Sequence, residues 1–348
     1  MKMKKFLAGM TALVLSLSVF TGCGSTSSGE NAADGSEAAG EVTKVIIGTQ
    51  EMPNDEGIAK ALDYFKEEMG VDVELKKFDS GKDVNTAIAS GSIDFGLMGT
   101  CPASLAIAQD LGVEFIWIHE VLGSVESLVA RQETGITTVA DLKGKKVAVP
   151  FASTAHFSLL KAIEDAGLSA DDVQLLDLAT DKIYASWENG DIDAAYIWQP
   201  TLAELNNQTV ILTSEDMANK GYMTANVEVV RKEFADANPE LVAGYIKALD
   251  KAVKLYNSDK ASAVSAIATS MQLEESDAEF QMAGSKWLTA EEQLGADYLG
   301  TSDTKGAVVK NLMDTAEFLK TQGSIQEVPA QEIFDAAVNP SYIEAALK

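Results

Sequence analysis

The chain has 348 residues, 46% of them hydrophobic and 23% charged, with 27 basic against 53 acidic side chains and a formal net charge of −26 at pH 7. That length exceeds the usual size of a single core and predicts two lobes or domains, while so acidic a surface argues against nucleic acid and against direct adhesion to anionic lipid. Only two histidines, His119 and His156, and two cysteines, Cys23 and Cys101, are present, which argues against a zinc site and against a disulfide framework; neither a metal nor a cofactor is expected.

In chain order, Lys2, Lys4 and Lys5 precede an apolar run from Phe6 to Phe20, followed by small residues in "VFTGCGS". This is the layout of a secretory signal, predicted over residues 1–22. Its end resembles a bacterial lipoprotein box, which implies that Cys23 is lipidated and becomes the first mature residue. Residues 24–41, "GSTSSGENAADGSEAAGE", lack large apolar side chains and read as a flexible tether. Beyond the leader no window is long and apolar enough to span a bilayer.

From Val42 short β-rich runs alternate with helical stretches. "VTKVIIGT" reads as a strand, 56–69 as a helix, "VDVELKKF" as a strand, 82–90 as a helix, "FGLM" as a strand, 101–110 as a helix and "EFIWI" as a strand. A second series follows: strands at "SLVAR" and "KKVAV", a helix over 155–166, a strand at "VQLLDL", a helix over 182–189 and a strand at "AAYIW". The order predicts an α/β fold with parallel strands joined by helices. "ASGSIDFGLM" and "ENGDIDAAYI" align Gly91 with Gly190 and Asp94 with Asp193. Each glycine is placed to end a helix before a buried strand, and each aspartate is assigned a turn role.

After "NVEVVRKEF" the chain is largely helical, over 239–256, 260–270, 274–283, 305–321 and from 331 onward. A chain that leaves one lobe and returns to it crosses twice. The expected division is therefore 42–125 with 226–348 as one lobe, 126–225 as the other, and a hinge between.

In open α/β sheets ligands bind at the carboxyl ends of strands, where helix N-termini offer free N–H groups and partial positive charge. Two stretches are so placed: Gly99, Thr100, Cys101 and Pro102 after "FGLM", and Ser153 and Thr154 before the helix over 155–166. Spacing alone leaves simple helix capping and anion binding both open for Ser153 and Thr154. It also leaves His156 as either a ligand donor or a satisfied surface group. No G-x-S-x-G elbow accompanies Ser153, so a nucleophilic serine is not expected.

The stretches "KKFDSGKDVNTAIASGSIDFGLMGTCPASLAIAQ", "LGSVESLVAR", "DLKGKKVAVPFASTAHFSLL" and "GDIDAAYIWQP" resemble the substrate-binding proteins of ABC importers for taurine and other aliphatic sulfonates. The resemblance implies a two-lobed type II periplasmic-binding-protein fold with a hinge and a helical C-terminal region. It implies a non-catalytic, monomeric receptor that delivers a small sulfonate to a membrane permease, and the lipoprotein box implies that this receptor is lipid-anchored outside the cell membrane. It assigns Ser153, Thr154 and His156 to the sulfonate end, with Thr100 and Cys101 facing it from the other lobe. It assigns Glu126 to an ammonium group and Trp198 to the ligand's methylene chain, whereas Trp117 is expected in the core. Asn226 stands where the family's taurine members tend to carry an aspartate, which implies weaker recognition of an amine. Two rivals remain: a related-fold enzyme of the thiamin-pyrimidine type, and a receptor that reports to a signalling partner.

Overall fold

The computed structural model describes Val42–Lys348. The predicted leader, Cys23 and the tether lie outside the described residues. In chain order, β1 (Lys44–Thr49) leads through α1 (Asp55–Ala61) and α2 (Tyr64–Met69) to β2 (Asp72–Lys77), α3 (Gly81–Ala89), β3 (Phe95–Gly99), α4 (Thr100–Ala108) and β4 (Val113–Leu122). Then come β5 (Glu126–Arg131), β6 (Lys146–Val149), α5 (Thr154–Asp165), β7 (Gln174–Asp177), α6 (Thr180–Asn189), β8 (Ala194–Trp198), α7 (Thr201–Glu204), β9 (Gln208–Thr213) and α8 (Ser214–Asn219). The rest comprises β10 (Ala225–Arg231), α9 (Lys232–Ala237), α10 (Pro239–Ser258), α11 (Lys260–Met271), α12 (Glu275–Met282), β11 (Ser285–Lys286), α13 (Ala290–Gln293), α14 (Val308–Thr321), α15 (Gln331–Ala337) and α16 (Ser341–Ala346). The predicted helix over 56–69 is two helices, parted at Asp63, whose φ of 57° interrupts the helical path.

These strands form two sheets, ordered β11-β4-β10-β3-β1-β2 and β7-β6-β8-β5-β9. As expected, β1 pairs in parallel with β2 and β3, and β6 with β7 and β8. Two strands depart from the parallel expectation: β10 runs antiparallel between β3 and β4, and β5 antiparallel between β8 and β9. Each is the first strand formed after the chain passes from one sheet to the other. Only residues 123–125 separate β4 of the first sheet from β5 of the second.

The first sheet carries the larger core. All five residues of β3 and nine of ten in β4 are buried, the near-continuous apolar pattern of strands covered on both faces. Tyr245, Ile246, Leu249 and Val253 of α10 belong to this core, their spacing of one helix face. In the second sheet successive residues serve opposite faces: Val147 and Val149 enter one cluster, Ala148 the other, as the pleat requires.

The repeated phrase has a structural meaning. Gly91 and Gly190 adopt φ of 66° and 74°. Asp94 Oδ2 accepts from the Ile46 N–H at 2.9 Å, and Asp193 Oδ2 from the Lys146 N–H at 2.8 Å. The same two residues accept through their carbonyls from Arg231 and Arg131 N–H at 2.9 and 3.0 Å. Each aspartate thus joins the start of a parallel strand to the end of the inserted antiparallel one, the turn role expected of it.

Candidate ligand-binding site

A cavity of about 770 Å³, counting its open mouth, lies between the two sheets and is lined from both. Gly99 and Glu120 come from the ends of β3 and β4, Trp198 from the end of β8, and Ser153 and Thr154 from the turn after β6. It therefore sits at the carboxyl ends of strands, as the topology predicts.

Two helices point their N-termini at it. In α5 the Ser153 hydroxyl caps the helix by accepting from the His156 N–H at 3.1 Å, and donates to Pro150 O at 2.6 Å. The Thr154 hydroxyl donates to Glu126 Oε2 at 2.5 Å. Both hydroxyls thus have partners within the protein, and Ser153 acts as the helix cap that its spacing allowed. What remains free is backbone: the N–H groups of Thr154 and Ala155, in the first turn, have no intrahelical partner. On the facing side α4 begins after Gly99 with no side-chain cap. Thr100 and Cys101 are each only 1% exposed, and neither lines the cavity, whose wall here is Gly99 and Pro102. As the first residues of α4, both have N–H groups without an intrahelical partner. Burial also pushes the Cys101 thiol well up, with Glu126 adding to it, so it is held as the inert, protonated form.

His156, 2% exposed, lies behind the cavity wall formed by Ser153 and Thr154 and does not itself line it. Its Nδ1 accepts from the Ala152 N–H at 3.3 Å, and its ring stacks on Phe151 at 4.2 Å. Burial pushes it down to about 4, so the ring is neutral at pH 7. It holds the turn in which Ala152 takes a φ of 59°. Its other face meets Phe318 of α14 edge-on at 5.4 Å, beside a Phe157–Phe318 contact at 5.3 Å. These rings join α5 to the helical C-terminal region.

Two buried acids line the cavity. Glu126, 1% exposed, accepts at Oε2 from Thr154 and at Oε1 from the Ser214 hydroxyl at 2.7 Å. It ties β5 to α5 and α8, and burial pushes it up to about 7 although the two hydroxyls oppose the shift. The second acid, Glu120, was not among the residues singled out from the sequence. It sits directly across from Asn226 in the β4–β10 pair, and Asn226 is in turn opposite Gly99 of β3. Gly99, Asn226 and Glu120 thus form a row across three strands. Glu120 Oε1 accepts from Asn226 Nδ2 at 2.6 Å. Burial pushes Glu120 up to about 7, against the lowering effects of His119 and Asn226. The signal that could have found it is an acid, next to His119, inside the mostly apolar run "FIWIHEVL".

Trp198 is half-buried in the cavity wall. Trp287, stacked on Tyr256 at 4.1 Å, lines it as well and was also missed. Trp117 is in the core as expected, its Nε1 donating to Asp55 Oδ2 at 2.8 Å. Behind the wall His119 bridges Asp55 at 2.7 Å and Glu228 at 2.9 Å. Burial works against charge on His119, but the two carboxylates outweigh it and hold the group well above its ordinary value. Tyr245 OH joins Glu228 and Glu56 at 2.8 and 3.2 Å, and Glu56 is pushed up to about 8, chiefly by burial and then by Glu228.

The pattern described as NMT1/THI5 like matches residues 57–263. The chain is 34% identical over 295 residues to the taurine-binding periplasmic protein of Escherichia coli K12, covering 83% of this chain and 89% of that protein. In structure it is similar to the alkanesulfonate-binding protein SsuA of Xanthomonas axonopodis pv. citri bound to MOPS, with a TM-score of 0.69 and 23% identity over 86% of this chain and 99% of that one. The desulfurization enzyme DSZB shares the fold at a TM-score of 0.60 and 17% identity, over 88% of this chain and 99% of that one.

Proposed function

The chain belongs to the NMT1/THI5-like family, and from that premise we propose that it is an extracytoplasmic receptor of an ABC importer that binds taurine or a related small aliphatic sulfonate. The observation that carries this reading is the pair of helix N-termini, those of α4 and α5, that meet at one cavity with free backbone N–H groups. Such a site holds a strongly acidic anion without a buried arginine or lysine, because the helix ends supply both donors and partial positive charge. Trp198 gives the short methylene chain an apolar surface. The similarity to a taurine-binding protein supports the ligand class.

Residues 42–125 with 226–348 form one lobe in this reading, and 126–225 the other. Ligand joins α4 of the first to α5 of the second, so the lobes close over it and the excluded water strengthens each N–H contact. The closed receptor, a monomer anchored through lipidated Cys23, then docks on a membrane permease. The rival enzymatic reading finds no support in the site: the Cys101 thiol is buried, and the Ser153 and Thr154 hydroxyls are engaged with Pro150 O and Glu126. Incubation of the purified protein with taurine, followed by denaturation and mass analysis, tests this. A receptor returns taurine unchanged in amounts up to one per chain, and a time-dependent product overturns the reading.

A further inference from the structure

One acid in the cavity wall is only half engaged by the protein. Glu120 is 4% exposed, and while Oε1 is held by Asn226, Oε2 is buried with no donor. A buried carboxylate oxygen left without a partner is costly. The Gln281 amide oxygen of α12, in a residue likewise 4% exposed, lines the same cavity and also lacks a donor. Glu126 differs, since each of its oxygens already accepts from a hydroxyl.

We propose that Glu120, positioned by Asn226, receives the ligand's ammonium group, so that the site takes a short-chain amino-sulfonate in preference to the sulfonate without the amine. This rests on the sulfonate reading above. An ammonium carries three donors and no acceptor, and the wall presents two unfilled buried acceptors, Glu120 Oε2 and Gln281 Oε1. Lys82, the basic residue of the cavity lining, is exposed, so a ligand cation meets acids here rather than a competing buried base. Asn226 is a positioning residue: its amide fixes the carboxylate from the facing strand and also meets the Met52 sulfur at 3.1 Å. The weaker amine recognition expected from asparagine at position 226 is thereby offset, because the charge stands on the neighbouring strand.

Calorimetric titration of the purified protein with taurine and with ethanesulfonate tests the proposal, first on the wild type and then on Glu120→Gln and Glu126→Gln. Taurine is expected to bind at least about 10-fold more tightly than ethanesulfonate to the wild type. Glu120→Gln abolishes that preference while leaving ethanesulfonate affinity within about 2-fold. Glu120→Asp, which keeps the charge but withdraws it, weakens taurine alone and serves if the glutamine variant does not fold. Equal wild-type affinities overturn the proposal, as does an equal loss of both ligands in Glu120→Gln or a preference that disappears only in Glu126→Gln. If neither compound binds the wild type, the sulfonate reading itself falls; if both bind alike, only the role of Glu120 does.

Discussion

Thr154 packs against Gly99 across the cavity so closely that a Cβ added to Gly99 would stand 2.7 Å from the Thr154 Cγ2 methyl. Gly99 precedes α4 and Thr154 opens α5, so this contact joins the two helix ends on which the proposed anion site depends. Thr154 is 5% exposed and hydrogen-bonded to Glu126, and cannot move aside freely. Gly99→Ala therefore props the helix ends apart. Overpacking of this kind costs about 1–3 kcal/mol, which predicts a loss of taurine affinity of roughly 5- to 150-fold. Titration of the variant checks it, and unchanged affinity in a folded variant removes the contact from the closure.

Thr154→Val keeps the side-chain shape but deletes the donor to Glu126 Oε2. A buried carboxyl group that loses one of two hydroxyl partners is expected to cost about 1–3 kcal/mol of stability. Denaturant unfolding measures this, and Thr154→Ser, which retains the hydroxyl, should recover most of the loss.

Glu56, Glu120 and Glu126 are pushed up by burial to about 8, 7 and 7 from an ordinary 4.5. The folded protein therefore binds more protons than the unfolded chain between about pH 4.5 and 8, and these groups make stability fall as pH rises through that window. His119 has the same sign: its raised value gives stability that is complete below its ordinary 6.5 and lost as pH climbs through the folded value. His156 acts oppositely, because its value of about 4 lies below the ordinary 6.5, so the folded state loses stability as pH falls through that interval. The ligand-free protein should melt roughly 3–8 °C lower at pH 8.5 than at pH 6. Glu56→Gln should flatten the dependence. A melting temperature that rises over this range contradicts the burial argument.

Replacement of Cys23 by alanine should prevent incorporation of labelled fatty acid in the producing cell and release the protein from the membrane fraction, with ligand affinity unchanged. Retention at the membrane with label still incorporated contradicts the anchor.

Much of the fold was legible because its signals are local. "FGLM" and "KKVAV" are short apolar runs, and the phrase shared by Asp94 and Asp193 marked the same turn twice. Strand β9 escaped notice because "QTVILT" lies at a sheet edge with only Leu212 buried, which leaves little apolar signal. The antiparallel places of β5 and β10 were hidden for another reason, since they depend on which sheet the chain enters after a crossing. For the site, the position of the α5 turn was readable, but the partners of its hydroxyls were not. Thr154 meets Glu126 across 28 positions of sequence, and Asn226 meets Glu120 across 106; spacing within a motif cannot reveal such pairs.

The cavity between the sheets is predicted to bind a small aliphatic sulfonate through the two helix ends. The most direct measurement is a calorimetric titration of the purified protein with taurine, with sulfate as a comparator that lacks the chain to pack on Trp198. Saturable binding of taurine at one site per chain, micromolar or tighter, with sulfate much weaker, is the predicted result. Absence of saturable binding by taurine and by ethanesulfonate alike would contradict the account.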